Sequence, residues 1–104
     1  MSENIETDSA VCALIYKAIR DTETKSSKVN YSTVQNMLNL YRQSCEGVKD
    51  ISSLVVDINS AIDVLGQFKN SDYTIEEVKK ITKDSIDPSS VKLVEDQLKN
   101  ERTF

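Results

Sequence analysis

The sequence predicts an all-α fold, a compact bundle of four to five helices arranged around an antiparallel central hairpin of the second and third. Three observations carry that prediction. Apolar residues recur at spacings of three and four rather than two. Residues that cap and stop helices stand at the ends of those runs. Two glycines and one proline in 104 residues are too few turn-formers for a fold of many short strands.

The first helical pattern spans about Ser9 to Asp21, with Val11, Leu14, Ile15 and Ala18 lining one face. The polar stretch Thr22 to Lys28 then reads as the longest loop. A second helix opens at Asn30, a good N-cap, with Val29 placed to staple onto Val34. Val34, Met37, Leu38, Tyr41 and Cys45 continue its apolar face until Gly47, a natural stop.

The third helix, about Ile51 to Phe68 with Asp50 as its cap, carries the strongest periodicity. Ile51, Leu54, Ile58, Ala61, Leu65 and Phe68 alternate spacings of three and four, as in a coiled-coil seam, and Val55 and Ile62 widen the stripe. The short connection from Gly47 makes these two helices antiparallel neighbours. A capping box of Thr74 and Glu77, with Tyr73 and Val78 in the staple positions, starts a fourth helix that runs to about Asp84. Asp87 and Pro88, with Ile86 aimed at Val91, start a fifth that turns Val91, Val94 and Leu98 inward.

The chain is long enough for one core, expected over residues 9–104 behind a flexible acidic tail, 1–8, that holds Glu3, Glu6 and Asp8. The polar first residues do not resemble a signal peptide, and no apolar run is long enough to span a membrane. An intracellular protein, cytoplasmic or nuclear, with reduced thiols is therefore expected. Cys12 and Cys45 each fall on an apolar helix face, where a cysteine behaves as a small hydrophobe.

Several chemistries are disfavoured by what is missing. Without histidine there is no Ser-His-Asp or Cys-His nucleophile and no imidazole metal motif, and two cysteines supply too few soft ligands for structural zinc. Gly47 and Gly66 are isolated, so no phosphate-cradling loop exists. Glu76 and Glu77 sit in a first helical turn, where carboxylates complement the helix dipole, and Asp57 and Asp63 diverge on the helical wheel. No enzyme activity, cofactor or metal is expected.

Charge is uneven along the chain. Residues 70–104 hold eight acidic and six basic residues, whereas between Tyr31 and Phe68 the charges are Arg42, Glu46, Lys49, Asp50, Asp57 and Asp63. In that depleted stretch the outward face of the second helix presents Gln35, Asn36, Asn39 and Gln43 around Leu40, and that of the third presents Ser53, Val56, Ser60, Val64 and Gln67. Neutral amides and hydroxyls around apolar residues suit an interface better than a solvated helix surface. Leu93, off the inward stripe of the fifth helix, marks a second candidate surface. Asn36, Leu40, Gln43, Val56, Ser60, Val64 and Leu93 are accordingly the candidate protein-binding residues, unless the first or fifth helix covers the same face within the monomer.

The expected function is a non-enzymatic protein–protein interaction module, a small subunit or adaptor of a larger intracellular complex. One alternative reads the last two helices as a nucleic-acid-binding helix-turn-helix presenting Lys92, Lys99 and Arg102. Glu95, Asp96 and Glu101 share that helix and would repel phosphate, so nucleic acid is the weaker partner. A second alternative is a bundle that self-associates as a homodimer.

Overall fold

The computed structural model describes residues 9–46, 52–86 and 88–100, and among these the regular secondary structure is all α-helix. The elements are α1 (Ser9–Lys25), α2 (Tyr31–Cys45), α3 (Ser52–Asn70), α4 (Ile75–Asp84) and α5 (Pro88–Asn100). None of these helices is long and apolar enough to cross a membrane. The expected tail 1–8, the stop at Gly47, and the caps Asp50 and Asp87 lie outside the described residues, as does Ile51.

Helix α1 is the hub. It packs against each of α2, α3, α4 and α5, while α2 and α3 form the most extensive single pair. Its burial explains the role: Val11, Cys12, Ala13, Leu14, Ile15, Ala18, Ile19 and Thr22 are all buried, far more of the helix circumference than one amphipathic stripe would cover. The four positions read from periodicity are thus part of a wider apolar surface. Helices α2 and α3 pair as expected, and Arg42 near the end of α2 donates to Asn59 Oδ1 in the first half of α3 at 3.1 Å.

Helix α1 also runs four residues further than its apolar periodicity suggests. Thr22, buried against the core, returns its hydroxyl to the Ala18 carbonyl at 2.7 Å, which removes the cost of burying it. Glu23 pairs with Lys79 of α4 at 2.9 Å, and the Ser26 amide closes the last turn on the Thr22 carbonyl. Thr82 on α4 uses the same device, bonding the Val78 carbonyl at 2.9 Å.

The remaining ends follow local grammar. Asn30 accepts from the Thr33 amide at 3.0 Å while Thr33 Oγ1 accepts from the Asn30 amide at 2.9 Å, a capping box with threonine in the usual glutamate position. Thr74 and Glu77 make the expected box at 3.1 and 2.8 Å. Between α3 and α4, Tyr73 N–H bonds the Phe68 carbonyl and Asp72 N–H bonds that of Lys69, with Asp72 left-handed at φ 64°. That is a Schellman motif, and its companion apolar contact is the edge-on packing of Tyr73 on Phe68, ring centroids 5.3 Å apart. Val29, Tyr73 and Ile86, the expected staple residues, are half-buried and packed on the core.

Candidate protein-binding cleft

Val91, Val94 and Leu98 of α5 are buried, and α5 packs mainly on α1 and approaches α2 only slightly. A cleft of about 800 Å³ is left between α1, α2 and α5. Its α1 wall is Lys17, Asp21, Thr24 and Lys25, one turn apart on the side of α1 that no apolar residue claims. The α2 wall is Met37, Leu40, Tyr41 and Ser44, and the α5 wall is Lys92, Glu95, Asp96 and Leu98.

A chain of polar contacts crosses the base of this cleft. The Tyr41 hydroxyl donates to Asp21 Oδ2, the same oxygen that Lys17 Nζ contacts at 2.9 Å. Lys17 lies 5.6 Å from the centroid of the Tyr41 ring and 3.9 Å from Glu95 Oε2 on α5. One lysine therefore joins three helices. Burial, then the bond to Asp21 and the negative charges of Asp21 and Glu95, push the Tyr41 phenol above its ordinary value of 10.0, with Arg20 opposing. This phenol is a neutral structural donor, and nothing in its surroundings activates it as a base.

The candidate residues separate into distinct places. Leu40 is 52 % exposed and sits on the cleft wall beside Met37, with Leu98 across from it on α5. Asn36 and Gln43 are exposed on the same helix. Val56 is 61 % exposed on α3, about 200° around the helix from the buried Ile58. Val64 is half-buried and packs against the core, and Ser60 is half-buried, so the outward face of α3 is narrower than its composition suggests. Leu93 is 63 % exposed on α5 and takes no part in lining the cleft.

The cleft itself is absent from the sequence pattern. It depends on how far α5 stands from α2, and of the residues at its base the sequence places Tyr41 on the apolar face of the second helix and Glu95 among the charges of the fifth, with nothing to join them to Lys17 and Asp21. The one local signal was Lys17 and Asp21 at i, i+4. Among the described residues no group of three or more carboxylates and thiols is placed to hold a metal ion. Both cysteines are buried, Cys12 on α1 and Cys45 on α2. No protein-family model, curated protein or solved structure matches the chain.

Proposed function

We propose that the protein acts by binding another protein, as a small subunit or adaptor, and that the α1–α2–α5 cleft is where it does so. The observation that carries this is Leu40: a large apolar side chain half in solvent, yet set in a concavity with Met37 and Leu98 rather than on a convex surface. The lining joins the apolar Met37, Leu40 and Leu98 to the charged Lys25, Lys92 and Asp96, a mixture of apolar contact and polar surround that protein interfaces use. The amides Asn36 and Gln43, exposed on the same helix, extend that surface without adding charge.

The nucleic-acid reading draws less support. Lys92, one of its three cations, shares the cleft wall with Glu95 and Asp96, and Arg102 lies outside the described residues. A photo-crosslinking amino acid at position 40, introduced into the protein in its source cell, tests the reading. Covalent capture of a protein from position 40 and not from position 28, which lies on the α1–α2 connection, is the expected outcome. Equal capture from both, or none from position 40, would refute the cleft as the binding surface.

A further inference from the structure

Helix α5 is held less closely than the helices around it. Its buried residues Val91, Val94 and Leu98 keep 6, 4 and 8 % exposure, whereas Leu38 on α2, Ile58 on α3, and Val78 and Thr82 on α4 keep 0 %. Helices α1, α2 and α3 each pack on the other two, and α4 packs on α1, so the bundle has a core that does not depend on α5.

Two contacts mark the line of α1 beneath α5. Ser9 Oγ lies 3.1 Å from Ser90 Oγ, and Lys17 Nζ lies 3.9 Å from Glu95 Oε2, so α5 runs parallel to α1. Ser9, Ala13 and Lys17 stand at i, i+4 spacing along that line. Its one apolar member is Ala13, while the larger Val11, Leu14 and Ile15 lie on other lines of the helix. Departure of α5 therefore bares little apolar surface on α1, and closure is held chiefly by the three α5 side chains. The charges agree with this. Lys17 is met by Asp21 at 2.9 Å within α1, and Asp21 by the Tyr41 hydroxyl of α2. Glu95 supplies only the longest link, so no buried charge loses its partner when α5 leaves.

We infer that α5 is a strap that opens from α1 as a unit while α1–α4 stay folded, and that its closure builds the Leu40 cleft. Lys92, Glu95, Asp96 and Leu98 form one wall of that cleft, which is complete only with the strap shut. A partner that touches both α2 and α5 there holds the strap closed by mass action. The opening follows from packing alone, and this consequence for a partner rests on the reading of the cleft as a protein-binding surface.

Native-state hydrogen exchange of the full chain, followed amide by amide in urea well below the unfolding midpoint, is the test. After correction for intrinsic rates, amides within α5 should exchange about tenfold or more faster than the slowest amides of α1–α4. Their dependence on urea should be shallower, because the opening exposes less surface than global unfolding does. Two mild core substitutions then separate the strap from the rest. Val94→Ala removes a contact that only the closed form has, and should speed exchange in α5 and in the slowest amides alike, by about threefold or more. Ile58→Val, on α3, removes a contact that the opened form keeps. It should speed the slowest amides of α2 and α3 about threefold and leave α5 unchanged.

An α5 as protected as the slowest amides of α1–α3, with the same urea dependence, would overturn the inference. So would α4 and α5 opening together on one urea curve, or an Ile58→Val variant that speeds α5 as much as it speeds α2 and α3. Capture from position 40 tests the cleft separately, so either reading can fail without the other.

Discussion

Tyr41 on α2 donates its hydroxyl to the carboxylate of Asp21 on α1, and the same carboxylate oxygen holds Lys17, which reaches on to Glu95 of α5. The base of the cleft is thus polar and fixed while its upper wall at Leu40 is apolar. Lys17 is already mostly covered, its side chain 14 % exposed, and its charge is met by Asp21 at 2.9 Å and by Glu95 at 3.9 Å.

The raised phenol of Tyr41 has a definite sign in stability. Well below pH 10 it is protonated both folded and unfolded and contributes no pH dependence. Above that, the unfolded chain releases the proton while the native protein retains it, so stability falls as pH rises, by up to about 1.4 kcal/mol per pH unit from this group. Tyr31 is pushed the same way, by burial first and then by Glu77 and Asp72. Urea midpoints measured from about pH 9 to about pH 11.5 should fall more steeply for the wild type than for Tyr41→Phe. Parallel slopes would show that the phenol is not held in this environment.

Lys17 has a part-buried ammonium, its side chain 14 % exposed, hydrogen-bonded to Asp21. Lys17→Met should cost about 1–2 kcal/mol, the range for a charge-assisted bond, because it strips Asp21 of its cation. Glu95→Gln, by contrast, removes only the looser 3.9 Å contact of a side chain 43 % exposed and should cost under about 0.5 kcal/mol. Chemical denaturation of the two variants ranks them. An equal or reversed order would place the anchor of the network on α5 rather than on α1.

Two backbone positions offer stabilisation. A Cβ at Gly66, in the interior of α3, would meet nothing within 4 Å, so Gly66→Ala should gain about 0.5–1 kcal/mol from helix propensity alone. Asp72 holds a left-handed conformation at φ 64° in the Schellman motif, and Asp72→Gly should gain up to about 1 kcal/mol by relieving it. Thermal melts should show both variants above the wild type. Were Gly66→Ala to lower the melting temperature, α3 would be more crowded around Gly66 than the structure shows.

Much of the fold was legible because helix ends are written locally. Asn30, and Thr74 with Glu77, cap within a few residues and take the expected places, and Val29, Tyr73 and Ile86 pack on the core. What escaped was tertiary. The buried set on α1 includes Cys12 and Ala13, small residues that add little to an apolar stripe, so its role as the hub was hidden behind four regularly spaced neighbours. The end of α1 depended on Thr22 being covered by the core, which no local pattern records. Leu40 was legible as an outward leucine among amides, but its place in a concavity follows from the stand-off of α5. Val64 sits on the flank of α3, where the helix packing rather than the wheel decides burial, and it packs on the core.

Protein binding through the Leu40 cleft is read out by a matched pair of baits. Leu40→Asp and Val56→Asp both place a carboxylate at an exposed position, 52 % and 61 % exposed, and should leave the thermal melt within about 0.5 kcal/mol of the wild type. Quantitative capture from the source cell should then lose its bound protein, whether a second copy or another chain, with Leu40→Asp and retain it with Val56→Asp. Loss with Val56→Asp and retention with Leu40→Asp would refute binding at the cleft and move the interface to the outer face of α3.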